Sequence, residues 1–197
     1  MLKKIGLGLV ALILVFVVVV ATRPSSFHYE RSTTIAAPPD AVYPLVSDFH
    51  QWTHWSPWDK LDPSQQRTFE GAAAGLGARY AWKGNDKVGE GRMAIEEAKA
   101  GESIKIKLEF IKPFASTNTT TFVIKPEGAG VKLTWAMEGT NNFMSKAFGL
   151  FMDMDKMIGS DFDRGLAQIK QLAEAEGARK KPAEPAGATP AAAVEKK

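Results

Sequence analysis

Residues 142–176 read NFMSKAFGLFMDMDKMIGSDFDRGLAQIKQLAEAE. Phe148, Phe151, Met154, Ile158, Phe162, Leu166, Ile169 and Leu172 recur three or four residues apart, the period of one helix face. Asn141 or Asn142 can cap the first turn, because a short side-chain oxygen accepts from amides that lack a partner inside the helix. Gly177 follows the last apolar positions, as glycine often does just past a helix end. The other face carries Lys146, Asp153, Lys156, Asp163, Arg164, Lys170 and Glu174. The spacing predicts one long amphipathic helix over 142–176, and its apolar stripe needs a surface to lie on. Gly149, Gly159 and Gly165 interrupt it, either for close approach to a neighbouring layer or for a bend over a cavity.

The preceding residues supply that surface. Gly77–Lys83, Gly89–Ala98, Glu102–Ile111, Ser116–Lys125 and Val131–Glu138 each alternate apolar and polar residues, with glycine-containing turns between them. The clearest sets Ile104, Ile106, Leu108 and Phe110 against Lys105, Lys107 and Glu109. Period two gives one buried and one wet face, and short connections give an antiparallel meander. Phe27–Ala36 reads as a further, first strand, and Asp40–Phe49 as a short helix begun at Pro38-Pro39. Trp52, Trp55 and Trp58 then fall within seven residues, around a short helix broken by Pro57. Such apolar area has to be buried, in a core between helix and sheet or at a cavity mouth. A curved sheet around one helix rarely closes completely, so an apolar gap is expected between them.

Charge removes one class of function. The chain of 197 residues has a net charge of +3, but eight of its 25 basic and two of its 22 acidic residues lie outside 27–176. That leaves 17 basic against 20 acidic residues, or −3, within the domain, so no nucleic-acid partner is expected. The absence of cysteine excludes disulfides, thiolate metal sites and a cysteine nucleophile.

Ile5–Ala21 is an unbroken uncharged run behind Lys3 and Lys4, about 26 Å long as a helix. Val19-Val20-Ala21 can pass as a signal cleavage site, but the run exceeds the usual h-region, which favours a retained anchor. Lys3 and Lys4 should stay cytoplasmic and send the domain to the periplasm or exterior of the inner membrane, as a single-pass protein. After Gly177 almost no large apolar residue follows, so 177–197 reads as a disordered tail rich in alanine, proline, lysine and glutamate. The expected organisation is an anchor and linker at 1–26, a domain at 27–176 and that tail.

Few motifs carry chemistry. Gly89-Glu90-Gly91-Arg92-Met93-Ala94 fits a loose dinucleotide fingerprint, but it leads into an alternating strand rather than a helix. Asp153, Asp155, Asp161 and Asp163 lack the ligand spacing of a calcium loop and point in several directions on a helix. His28, His50 and His54 sit in no recognised catalytic motif. Neither metal nor cofactor is expected, and no catalytic set is assigned. Asn118 and Thr120 share the inward face with Phe122 and Ile124, which makes them candidate polar handles in an apolar space, unless they sit in water at the open strand end.

Taken together, Trp52…Trp55-Ser56-Pro57-Trp58…Asp62-Pro63, Gly77–Asn85, Val88–Met93 and Phe151–Gly159 with Asp161-Phe162…Gly165-Leu166 resemble the SRPBCC superfamily over about 27–176. More narrowly, they are similar to the bacterial polyketide cyclase/dehydrase and lipid-transport-like branch, whose members often carry an N-terminal membrane segment. The resemblance implies an α+β, START-like helix-grip fold, with a hydrophobic-ligand cavity between sheet and C-terminal helix. Tyr80, Trp82, Met93, Leu108, Phe110, Asn118, Thr120, Phe122, Trp135, Met154, Ile158 and Phe162 are the expected ligand-binding residues. The leading reading is membrane-anchored binding or transfer of a hydrophobic small molecule, lipid-like or polyketide-like. The alternatives are a cyclase or dehydratase using His54, Asp62 or Asn118 on a carbonyl, and a ligand-free scaffold.

Overall fold

A computed structural model describes residues 1–180. The elements run α1 (Leu2–Ala21), β1 (Ser26–Ile35), α2 (Pro39–Ser47), a 3-10 turn (Phe49–Gln51), α3 (Trp52–Trp55) and β2 (Gln66–Gly71). They continue through β3 (Ala78–Lys83), β4 (Glu90–Lys99), β5 (Ser103–Lys112), β6 (Ser116–Glu127) and β7 (Gly130–Thr140) to α4 (Phe143–Phe148) and α5 (Met154–Lys180). All seven strands form one antiparallel sheet, ordered β1-β7-β6-β5-β4-β3-β2. The first strand closes on the last, and the helices fill the inner face. This is the helix-grip architecture.

Alternation fixes the two faces, and register lines the inner side chains into rows across the sheet. One row is Arg31, Trp135, Phe122, Ile104 and Ala98. Trp135 and Phe122 in it stack at 4.9 Å, and Trp55 of α3 meets both rings edge-on. The indole N–H groups of Trp52 and Trp55 donate to the carbonyls of Val46 (3.2 Å) and Leu45 (2.7 Å), so each buried ring brings its own polar satisfaction. Trp52 and Trp55 are therefore core anchors, with Trp58 edge-on against Trp135.

Helix α5 lies along β1. Phe162 is stacked on Trp135 at 4.1 Å and 7°, Lys170 Nζ donates to the Thr34 carbonyl (2.8 Å), and the Ala36 amide donates to Glu174 (2.9 Å). Two of its glycines are contact points. A Cβ at Gly159 would fall 2.0 Å from the Arg31 guanidinium, and one at Gly165 would fall 2.7 Å from the Trp135 ring. Their role is close approach, the first of the two sequence-based options.

The helix departs from expectation at both ends. Instead of one helix over 142–176 there are two: α4 ends at Gly149, and α5 starts afresh behind Asp153, whose Oδ1 accepts from the Lys156 amide (3.0 Å). Asn142 caps α4 as anticipated, accepting from the Ser145 amide (2.9 Å). At the other end α5 runs through Gly177 to Lys180, because Gly177 packs against Ala37 and Pro38 rather than turning the chain. The expected tail over 177–197 thus begins in helix, and residues 181–197 lie outside those described. Strand β2 was not anticipated: Phe69 is its one large apolar residue, and it pairs only with β3, at the sheet edge.

Helix α1 is long and apolar enough to cross a membrane, and only Val20 of it is buried. Its exit is tied to the domain by bonds from the Asn141 amide to the Ser25 carbonyl (2.9 Å) and from Lys146 Nζ to Ser25 Oγ (2.9 Å).

Gly165→Ala should destabilise the protein by about 1–3 kcal/mol, since its methyl must displace a stacked indole. Gly177→Ala, with its nearest neighbour at 3.2 Å and a better helix former in place, should cost much less. Denaturant unfolding of both variants checks the contrast.

Candidate functional site

Two rows of inward side chains lie nearer the sheet end where β5 turns into β6 and β7 leaves for α4. The first is Phe27, Gly139, Asn118, Leu108, Met93, Tyr80 and Phe69; the second is Tyr29, Met137, Thr120, Ile106 and Ile95. Helix α5 starts beside the second row: Asp155 binds Arg31 (3.0 Å), and Tyr29 has its phenol pushed up by burial and then by the charges of Asp155 and Asp153. Beyond that point α5 does not extend.

All of these side chains are buried. Tyr80 (8%), Met93 (8%), Leu108 (9%), Asn118 (6%) and Met137 (8%) keep slightly more exposure than Phe122, Trp135 and Phe162 (2% or less), while Ile106 and Ile95 of the second row are as deeply buried as those rings. The rings under α5 are the most deeply buried, and Phe49 packs against Tyr80 in the row toward α4 at 5.8 Å.

Asn118 is the polar member of that row. Its Nδ2 is 3.5 Å from Ser116 Oγ, and its Oδ1 is buried without any partner. Gly139 makes room for it, since a Cβ there would meet Asn118 Oδ1 at 2.2 Å and the Phe27 ring at 2.9 Å. A buried amide acceptor without a donor costs about 1–3 kcal/mol. Thr120 is buried in the next row. Trp135 Nε1 is a second buried group without a partner, in the packed row.

Sequence reasoning did not single out the cluster at the opposite edge of the row. Arg67 Nε donates to Asp59 Oδ1 (2.8 Å), and Gln65 Nε2 donates to the same oxygen (3.0 Å). Tyr80 lies beside this pair and has its phenol pushed up to about 12, first by burial and then by the Asp59 charge. It is therefore neutral at physiological pH and available as a hydrogen-bond donor. Arg67 and Tyr80 belong to adjacent strands of one sheet face, a juxtaposition that becomes visible only once β2 is placed.

Of the twelve expected site residues, Tyr80, Met93, Leu108, Asn118 and Thr120 fall in these two rows. Trp82 and Phe110 form the next, half-buried step toward the loops, edge to face at 5.9 Å. Met154 and Ile158 sit half-buried on the first turns of α5, while Phe122, Trp135 and Phe162 belong to the packed rings. Phe27, Tyr29 and Met137 also face this space; alternation had already marked Met137 as inward.

The catalytic alternatives fare differently. His54 is exposed, because α3 turns Trp52 and Trp55 inward and the two residues between them, Thr53 and His54, outward. Asp62 is buried, but its Oδ1 accepts from Ser64 N (3.1 Å) and Oγ (2.7 Å), and its Oδ2 from Asn85 N (2.8 Å). These bonds hold its carboxyl below the usual range and make it a turn clamp. Neither can act on a substrate in the inner row. The four helix aspartates are likewise engaged separately: Asp153 caps α5, Asp155 and Asp163 flank Arg31, and Asp161 pairs with Arg164. Gly89 takes φ +66° in the turn before β4, which makes that glycine motif a hairpin.

Two open grooves lie on other faces, the first of them touching Tyr80 and Met93 from the far side of the sheet. One, of about 530 Å³, runs over the outer face of β2–β5 among Glu70, Arg79, Arg92, Glu96, Lys107 and Glu109; the other, of about 300 Å³, lies between β1 and α5. Ion pairs such as Arg92–Glu109 (2.8 Å) fill the first with charge, which suits a solvated face.

Because the Asp62 pKa is lowered in the folded protein, its stabilisation is present above the ordinary carboxylate pKa and is lost as pH falls through the lowered value. Asp62→Asn should lower stability at pH 7 and flatten the loss of stability below about pH 4. Unfolding of both proteins from pH 7 to pH 2 measures this.

A family model described as polyketide cyclase / dehydrase and lipid transport matches residues 26–174. A search of curated proteins finds no match. Among solved structures, protein CV1439 from Chromobacterium violaceum aligns with a TM-score of 0.54 at 18% identity, covering 77% of this chain and 99% of that one. The Aha1 dimer from Colwellia psychrerythraea aligns at 0.54 and 11% identity, over 75% and 96%. The di-domain ARO/CYC StfQ from the steffimycin biosynthetic pathway aligns at 0.57 and 13% identity, over 78% and 52%. At these identities the structural likenesses establish the fold alone.

Proposed function

Because the chain belongs to the polyketide cyclase/dehydrase and lipid transport family, we propose that its inner rows bind a hydrophobic small molecule carrying one hydrogen-bond donor. In this reading α1 anchors the protein in a membrane and the domain works on the extracytoplasmic side, near an apolar supply. The observation that carries it is the placing of inward apolar residues, Met93, Leu108 and Met137, beside the buried, unpartnered Asn118 acceptor. Apolar burial supplies the affinity, about 25 cal/mol per Å² covered, and the amide supplies orientation. A second reading, cyclase-type chemistry on a polyketide-like substrate, is favoured by Arg67 and the neutral Tyr80 phenol, which together can polarise a carbonyl at the edge of the row.

Native mass spectrometry of the full chain, released from detergent and followed by organic extraction, should show an apolar species at one per protein. Leu108→Trp should abolish its retention, and Asn118→Leu should weaken binding about three- to tenfold, the worth of one hydrogen bond. An empty protein that is unresponsive to lipids, fatty alcohols and aromatic polyketides would overturn the reading. Turnover of a bound polyketide that Tyr80→Phe stops, without loss of binding, would favour the enzyme.

A further inference from the structure

The residues after β7 expose more apolar surface than any packing need explains. Phe143, Met144, Phe148, Phe151 and Met152 are all exposed, Phe151 at 78%, and Phe114 on the β5–β6 turn faces Phe148 with ring centroids 6.1 Å apart. A soluble surface rarely gathers such a patch without a partner. Helix α4 also touches α1, and the bonds from Asn141 and Lys146 to Ser25 hold it where the apolar helix leaves the domain. If α1 spans a bilayer, that point is the membrane surface. The acidic residues of the next turn are engaged, Asp153 in the α5 cap and Asp155 on Arg31, while Lys146 on α4 itself supplies positive charge. Aromatic and methionine side chains beside a basic residue suit the headgroup and upper acyl layer.

We propose that residues 143–152, with Phe114 opposite, insert into the interfacial layer of the bilayer that α1 crosses, so that the α4 end of the inner rows faces lipid. This rests on the anchor reading of α1. The occupant is the lipid surface because the patch is continuous with α1, whose own exposed apolar length requires the same solvent. An apolar ligand then passes between bilayer and site without entering water, and the α4–α5 break at 149–153 is the edge it passes.

The chain has no cysteine, so single cysteines report position cleanly. Phe148→Cys, Phe151→Cys, Val10→Cys and Glu102→Cys, each in the full chain, would carry a polarity-sensitive fluorophore in vesicles of phosphatidylethanolamine and phosphatidylglycerol. Doxyl-labelled lipid should then quench positions 10, 148 and 151 by about half or more and leave 102, on the distant β4–β5 turn, unchanged. Quenching at 10 but not at 148 and 151 overturns the inserted lip and leaves the anchor standing. No quenching at 10 removes the anchor and the lip together. Blue-shifted but unquenched labels at 148 and 151 would mean a protein covers the patch, a second copy included, and would also overturn the proposal.

Discussion

The stack of Phe162 on Trp135 sets where everything else can go. With the rings 4.1 Å apart and nearly parallel, and Gly165 leaving no atom between helix backbone and indole, α5 is pressed onto β7 and β1. Such a pair contributes about 0.5–1.5 kcal/mol beyond its buried area, and the neighbouring edge contacts of Trp55 and Trp58 extend it. The consequence is asymmetry. One end of the grip is filled by aromatic rings, α2 and α3, while the end near α4 holds the row of Met93, Leu108 and Asn118, whose amide oxygen is buried without a partner.

Burial gives the polar groups at this end their meaning. Trp52 and Trp55 satisfy their own N–H groups on Val46 and Leu45, so the core tolerates their burial. Asn118 lacks such an arrangement, and the glycine opposite keeps space for its amide rather than filling it. Arg67 and Tyr80 at the row's edge are likewise shaped by burial, one held by Asp59 and the other kept protonated. The same end of the domain meets α1, the apolar N-terminal helix, through α4.

Much of this was legible in sequence, because period two in the strands assigns side chains to faces without any knowledge of partners. Asn118, Thr120, Leu108 and Met93 were inward on that ground alone. What alternation cannot say is which inward residues a helix will cover: Phe122 and Asn118 lie on one strand and one face, and only the docking of the helices shows which of them lies under α5. The helix break was missed because Phe148, Phe151 and Met154 keep the helical period across it. The local signal was Asp153 ahead of Met154, a capping residue that outweighs periodicity when Gly149 has already ended a turn. Strand β2 escaped because an edge strand with one large side chain carries little pattern. His54 misled through its neighbours in sequence, since a helical turn that buries Trp52 and Trp55 turns the two residues between them away.

The most direct measurement is a methyl NMR spectrum of the full chain with carbon-13 methionine methyls, in deuterated lipid nanodiscs, titrated with a protonated long-chain alcohol. Met93 and Met137 are buried in the inner rows, while Met144 and Met152 lie on the exposed segment outside them. Intermolecular contacts from the alcohol chain to Met93 and Met137, lost in Leu108→Trp, are the predicted result. Contacts confined to Met144 and Met152, with Met93 and Met137 silent at saturation, would contradict a ligand site in the grip.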